Sequence, residues 1–278
     1  MPGWILAIDV GNSRIKVGLF ADHGCDPFAQ GEPRCLKQVG FPLGDYWNAD
    51  QLEWPELNSG DSIRGVIAGS NPQGIDKVIN GWPLSKWETP RVITHSDTFP
   101  LTIRVDAPRQ VGIDRLLNAV AVNHVRAANR PAIIVDSGTA TTVDLVSADG
   151  AFCGGAILPG FELSARALHQ YTALLPLISL NDLVDRTPAG MGRNTRTALH
   201  SGLYWGQVGA VRELVEHLIA ESSPSGDQPS STAADFQFIL TGGGAPLLHK
   251  PLGEERWLSR PYLALEGLVI VDRAMGCA

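Results

Sequence analysis

Ile5-Leu6-Ala7-Ile8-Asp9-Val10-Gly11-Asn12-Ser13, running on into Arg14-Ile15-Lys16-Val17-Gly18-Leu19, decides how this chain is read, because a second stretch repeats its plan. The copy is Ile133-Ile134-Val135-Asp136-Ser137-Gly138-Thr139-Ala140-Thr141-Thr142, followed by Val143-Asp144-Leu145-Val146. Each is an apolar run ending in Asp, a Gly-containing turn and a second β-prone run, which predicts a hairpin. Gly admits backbone angles closed to other residues and lets the main chain come close to a ligand. An Asp beside exposed N–H groups and hydroxyls can hold a metal ion while the turn holds phosphate. Two such hairpins predict a duplicated α/β fold that grips a nucleotide.

Around them, Gly65–Gly69 and Arg91–Thr94 read as short strands and Phe236–Leu240 as another, with a helix expected within 73–86. Residues 21–62 read as loop-rich, with Trp47 and Trp54 as anchors. Apolar residues at helical spacing predict helices over 114–129, 163–175, 195–221 and 261–275. In the long helix Gly202, Gly206 and Gly209 permit close packing, either on another helix of the chain or across a dimer seam. Ser222 to Ala234 is Ser- and Pro-rich and reads as a flexible surface loop. The alternation of strands and helices makes the chain an α/β protein.

Composition narrows the function. The 278 residues suffice for two domains. The formal charge of 22 − 29 = −7 argues against nucleic acid or an anionic membrane as the main partner. Cys25, Cys35, Cys153 and Cys277 show no CxxC spacing and read as free thiols of a reducing cytosol. The apolar run before Asp9 is too short for a signal peptide, and no stretch of 18 apolar residues offers a membrane span. A soluble, cytoplasmic protein is expected. Neither a GxxxxGK[ST] loop, a complete GxGxxG, a GxSxG elbow nor an HExxH is present, which removes ordinary P-loop, dinucleotide, hydrolase and zinc readings.

What remains points to phosphate. Asp9, Gly11, Asn12 and Lys16 suit Mg²⁺ and the terminal phosphates of a nucleotide, with Thr139, Thr141 and Thr142 as hydroxyl donors on the second hairpin. Gly242 to Gly244 lets backbone approach an adenosine, and Asn194-Thr195 opens a long helix, where N–H groups favour an anion. Gly112-Ile113-Asp114-Arg115 stands at another helix start. There an Asp can accept the proton of an acceptor hydroxyl, and an Arg can grip a carboxylate. Each has a plainer reading: Asp114 as a helix cap, Asp9 and Asp136 as turn residues, the Thr run as β-propensity, Lys16 as a solvated edge charge. Their gathering at strand ends and helix starts, where open α/β sheets bind ligands, favours the functional one.

These residues also carry a family resemblance. IDVGNSRIK (8–16), GIDR (112–115), VDSGTATTVD (135–144), GGAILPG (154–160), NT (194–195) and GGG (242–244) occur in the order found in type III pantothenate kinases, to which the chain is similar from Ile5 onward. The resemblance implies two ribonuclease-H-like, actin-like ATPase domains, divided as 1–113 and 114–278, with a central cleft. It implies a homodimer with sites near the subunit interface. The implied reaction is phosphorylation of pantothenate by ATP to 4′-phosphopantothenate, the first step towards coenzyme A. Carried over by motif, Asp9, Val10, Gly11, Asn12, Ser13, Arg14, Ile15 and Lys16, with Thr139, would bind ATP, and Asp9 its Mg²⁺. Asp114 would accept the pantothenate hydroxyl proton. Gly112, Ile113, Asp114, Arg115 and Thr195 would line the pantothenate site, with Thr172 as a further contact. Asp136 would ligate the monovalent cation, K⁺ or NH₄⁺. Two positions depart from the family pattern: Ser13 replaces a Thr, and Val105 stands where a Tyr is usual, three residues before Pro108. The replaced Tyr motivates two rival readings, a binding regulator that has lost catalysis and a same-fold kinase with another acceptor.

Overall fold

A computed structural model describes the chain apart from residues 1–2, 23–31, 50–51, 53, 55–56, 58–60, 185–186, 223–231 and 277–278. Cys25, Cys277 and most of the Ser- and Pro-rich loop lie outside the described residues. The chain forms two compact units: Met1–Thr102, Asp106–Val125 and Tyr262–Ala278 make the first, Ile103–Val105 and Arg126–Pro261 the second.

The first unit is built on β1 (Gly3–Val10), β2 (Arg14–Asp22), β3 (Lys37–Pro42), β4 (Ser62–Gly69) and β5 (Arg91–Ile93). Their order across the sheet is β3-β2-β1-β4-β5, with β2 antiparallel to β1 and β3, and β1, β4 and β5 parallel. Ile5 to Ile8 and Val10 are fully buried, as expected for a strand covered on both faces. Helix α1 (Pro72–Asn80) links β4 to β5, and Asn71 caps it by accepting from the Gly74 N–H at 2.9 Å. Trp47 is buried in the core of this unit and Trp54 packs at its margin. The segment expected to be loop contains β3, whose KQVGFP sequence is only half-buried and is held as an edge strand by β2.

Helix α2 (Ile113–Val125) completes this unit together with the last helix, α7 (Leu263–Gly276). A single cut between 113 and 114 therefore falls inside the first unit, at the start of α2. Helix α7 lies against α2, β1 and β4. At the crossing, a side chain on Gly267 would sit 2.0 Å from the Leu117 carbonyl oxygen, so only Gly allows the approach. Leu263, Leu265 and Leu268 to Val271 are all buried. Ion pairs tie α7 down where β1 begins, remote from the β1–β2 turn. Arg64 bridges Asp22, at 3.1 Å, and Asp272, while Arg91 meets Asp272 at 2.8 Å.

The second unit repeats the plan. It comprises β6 (Ala132–Ser137), β7 (Ala140–Val146), β8 (Phe152–Pro159), α3 (Phe161–Gln170), α4 (Asn181–Val184), α5 (Thr195–Glu221), β9 (Gln237–Thr241), α6 (Ala245–Gly253) and β10 (Trp257–Ser259). The sheet order is β10-β9-β6-β7-β8, again with β7 antiparallel to both neighbours and β6, β9 and β10 parallel. Strand for strand this is the same topology. Helices α3 and α5 cover one face of the sheet around Val135, Val143, Leu203, Val208 and Val211. Among the described residues, apart from the helix's own backbone, nothing lies within 4 Å of where a side chain on Gly202, Gly206 or Gly209 would begin, and all three are exposed.

Candidate active site

The first hairpin places a carboxylate and an ammonium directly opposite one another. Asp9 faces Lys16 across β1 and β2, with Nζ 3.8 Å from Oδ2, and Asp9 is only 6% exposed. The turn between them is braced from three sides. Gly11 N–H donates to the Arg14 carbonyl (2.9 Å), the Ser13 carbonyl accepts from Leu43 N–H (2.9 Å), and Ser70 N–H donates to the Val10 carbonyl (3.1 Å). Asn12, Ser13 and Arg14 face solvent, and Asn12 Nδ2 reaches the Ser70 hydroxyl at 3.5 Å. The arrangement is a rigid, open turn next to a nearly buried acid.

Asp114 belongs to the same unit, as the second residue of α2. Its Oδ1 accepts from the Arg115 N–H at 2.9 Å, so it does satisfy a helix-start donor as the plainer reading had it. That bond also fixes the orientation of a half-buried carboxylate. Gly112 leaves it room, since a side chain there would meet Asp114 Oδ1 at 2.6 Å.

In the second unit the β6–β7 turn is gripped by two other loops. Gly242, which ends β9 with φ +90°, and Gly244 close on it from one side. Gly244 N–H donates to the Ser137 carbonyl at 2.8 Å. A side chain on Gly242 would come within 2.5 Å of both Asp136 Oδ1 and the Ser137 carbonyl oxygen, and one on Gly244 within 2.4 Å of Ser137 Oγ. From the other side Gly160 N–H donates to the Thr139 carbonyl at 3.0 Å. Thr139 is exposed at the tip. Thr141 and Thr142 are not: they are 0% and 8% exposed, and Thr141 Oγ1 lies 3.5 Å from Ser137 Oγ. Of the three threonines expected to present hydroxyls to a ligand, only Thr139 is exposed, because the other two are covered within the strand.

Asp136 Oδ1, the Ser137 carbonyl and Ser137 Oγ are the oxygens of this turn that lie against Gly242 and Gly244, the carbonyl already accepting from Gly244 N–H. Such a set suits a hard cation. Among the described residues no group of three or more His, Cys, Asp or Glu side chains is placed to hold a metal ion. A divalent ion beside Asp9 would accordingly depend on phosphate and water oxygens, which is usual for Mg²⁺.

Thr195 is the first residue of α5, behind a capping box in which Asn194 Oδ1 accepts from Thr197 N–H at 2.9 Å. It lines a cavity of about 790 Å³ with Leu168, Leu175, Arg193, Asn194 and Leu199 among others. Thr172 is exposed, and its hydroxyl donates to the Leu168 carbonyl at 2.6 Å, closing the end of α3. Val105 is half-buried and stands 3.4 Å from the point where a side chain on Gly154 would begin. Asp9 to Lys16 and Gly112 to Arg115 therefore share the first unit, whereas Asp136, Thr139, Thr172 and Thr195 share the second.

The profile of the type III pantothenate kinase family matches residues 5–217. A type III pantothenate kinase of Gluconobacter oxydans is 36% identical over 288 aligned positions, covering 98% of this chain and 94% of that one. One from Saccharopolyspora erythraea is 34% identical and covers 98% and 99%. The chain belongs to the type III pantothenate kinase family.

Among solved structures, component A of the (R)-2-hydroxyglutaryl-CoA dehydratase of Acidaminococcus fermentans aligns with a TM-score of 0.52 at 12% identity, covering 98% of this chain and 99% of that one. At that identity the likeness establishes the fold alone, a duplicated α/β architecture. The family motifs of a type III pantothenate kinase fall on matching places in the two repeats: 8–16 on the β1–β2 hairpin, 135–144 on β6–β7. Residues 154–160 run along β8 to Gly160, and 242–244 join β9 to α6. The sequence reading gave Gly160 no role beyond its motif and did not single out Arg193, which lines the Thr195 cavity. The signals were a Gly directly between a strand and a helix, and a cation directly before a helix cap.

Proposed function

We propose that this pantothenate kinase transfers the γ-phosphoryl group of ATP to the primary hydroxyl of pantothenate, giving ADP and 4′-phosphopantothenate and opening coenzyme A synthesis. The observation that carries the reading is family likeness over nearly the whole chain, with every quoted motif except 154–160, which runs along β8, holding a turn or helix start.

Phosphoryl transfer asks a protein chiefly for positioning and charge neutralisation. Asp9 to Lys16 supplies the ATP phosphate turn: N–H groups and hydroxyl from Asn12 and Ser13, and a cation from Lys16. Mg²⁺, when bound beside Asp9, neutralises phosphate charge. Thr139 contacts ATP from the other repeat. Asp114, its carboxylate held in one orientation by Arg115 N–H, takes the acceptor's hydroxyl proton as the phosphoryl group arrives. Gly112 to Arg115, Thr195 and Thr172 line the acceptor site. Asp136 would hold K⁺ or NH₄⁺, whose charge would steady bound phosphate.

The exposed glycine row of α5, with Leu163, Tyr171 and Leu174 exposed nearby in the sequence, supports a homodimer. A net charge of −7, and the absence of any described helix long and apolar enough to cross a membrane, support a cytoplasmic enzyme without nucleic-acid or membrane partners.

The test is ADP release by purified protein with ATP, Mg²⁺ and pantothenate, in K⁺ or NH₄⁺ and then in Na⁺. Turnover that needs both pantothenate and the larger cation is the expected result. A folded protein that binds ATP yet leaves pantothenate untouched would refute it in favour of another acceptor.

A further inference from the structure

Among the described residues, Arg193 differs from its charged neighbours in that its guanidinium has no partner. Arg196, the second residue of α5, is paired with Asp182 at 3.0 Å, and Arg166 with Glu162 at 2.6 Å. Arg115, the arginine already assigned to the acceptor site, interacts within the fold. Arg193 instead has a fixed backbone and an unengaged head. Its N–H donates to Thr197 Oγ1 at 3.0 Å. The preceding Gly192 presses on the first turn of α5 so closely that a side chain there would lie 2.2 Å from the Ala198 nitrogen. Among the described residues its guanidinium makes no hydrogen bond or ion pair.

The space it borders is a cavity of about 790 Å³, within the range of roughly 300–1,000 Å³ usual for small-molecule sites. Arg193 is the one charged residue of its described lining; Leu168, Leu175, Leu199 and Leu203 make it otherwise largely apolar, and Thr195 adds a hydroxyl. An anchored fork of N–H donors at the edge of such a wall matches a ligand with a carboxylate at one end and an aliphatic body. A guanidinium recognises a carboxylate with two parallel hydrogen bonds, and more selectively than an ammonium does.

We propose that Arg193 determines acceptor specificity: it receives the terminal carboxylate of the acceptor in the cavity lined by Thr195, and so selects anionic over neutral acceptors. This rests on the pantothenate kinase reading and adds a residue to it.

The experiment compares kcat/KM for pantothenate with that for pantothenyl alcohol, which carries the same reacting hydroxyl but no carboxylate. Wild type, Arg193→Ala, Arg193→Lys and Arg115→Ala are assayed as intact protein, each checked for melting temperature and oligomeric mass. Losing a hydrogen bond to a charged group should cut the preference for pantothenate about ten- to hundredfold in Arg193→Ala, mostly through KM. Arg193→Lys should keep part of it. An unchanged ratio in Arg193→Ala overturns the proposal. So does loss of the preference in Arg115→Ala alone, or an equal fall on both acceptors with a changed oligomeric mass. Failure of wild type to phosphorylate either acceptor would instead bring down the pantothenate kinase reading, and this inference with it.

Discussion

Replacing Gly160 by Ala adds one methyl group at the point where the β8–α3 junction touches the second nucleotide turn. Gly160 has φ −71° and ψ 176°, a conformation open to Ala, so the backbone itself carries no objection. The obstacle is the neighbour: the new carbon would lie 2.3 Å from the Gly138 carbonyl oxygen and 2.7 Å from that of Thr139. Because real contacts of this kind stay at 3.0 Å or beyond, the turn must retreat by about 3.0 − 2.3 = 0.7 Å. Both obstructing atoms are backbone, so no side chain can swing aside to relieve them. Overpacking of this kind costs about 1–3 kcal/mol, against a total stability of about 5–15 kcal/mol, so the protein should still fold. Misplacing catalytic or binding groups by about 1 Å costs on the order of a hundredfold. A shift of 0.7 Å at Thr139 should therefore lower kcat/KM for ATP by about ten- to hundredfold. The KM for pantothenate should stay near that of wild type. Initial rates with ATP varied at saturating pantothenate, and the converse series, separate the two. An ATP KM within about twofold of wild type, in a variant whose melting temperature has dropped, would refute the claim that Gly160 positions this turn.

Asp114→Asn removes the proposed proton acceptor while keeping the bond to Arg115 N–H, and kcat should fall by about 10²–10⁴ with nucleotide binding preserved; steady-state rates and nucleotide titration test this, and intact turnover refutes it. Burial outweighs the two guanidinium partners of Asp272 and holds its carboxyl above the ordinary value of 3.8. The native state therefore binds more protons than the unfolded one between the two values. The stability this group contributes is present below 3.8 and lost as pH rises through the raised value. In urea titrations across that window, wild type should lose stability relative to Asp272→Asn with rising pH, then level off; a relative gain would contradict it. Burial, with the nearby charge of Glu266, pushes the Cys35 thiol up to about 12. Mass mapping after iodoacetamide at pH 8 should find Cys35 alkylated only once the protein is unfolded, and native labelling would refute its burial.

The hairpins were legible because an apolar run, an Asp and a Gly turn leave little choice of local structure. Helix α5 could be read because Asn194 caps its start and its apolar residues keep helical spacing from Val208 to Ile219. Strand β3 could not: Lys37, Gln38, Gly40 and Pro42 carry no strand pattern, and pairing with β2 makes the strand. Helix α6 escaped because Pro246 and Pro251 read as breakers, although Pro246 sits in the first turn where Pro is tolerated. At the site, Asp9, Lys16 and Asp114 were visible as residue types in context. The roles of Thr141 and Thr142 depended on which faces of β7 are covered. The grip of Gly160 on Thr139 depends on where a loop 21 residues further along returns. Neither is encoded in local pattern.

Strand β1 is synthesised well before α7, one of the elements that cover it. The phosphate turn at Gly11 therefore rests on a strand whose burial is finished only by residues more than 250 positions later. While synthesis continues, the second unit, contiguous from Arg126 to Pro261 save for a short crossing segment, can close first. The first unit must wait with apolar strand surface uncovered. A chain ending before Leu263 would leave β1 and β4 without that cover, so a defect at the far terminus would be felt at the nucleotide turn.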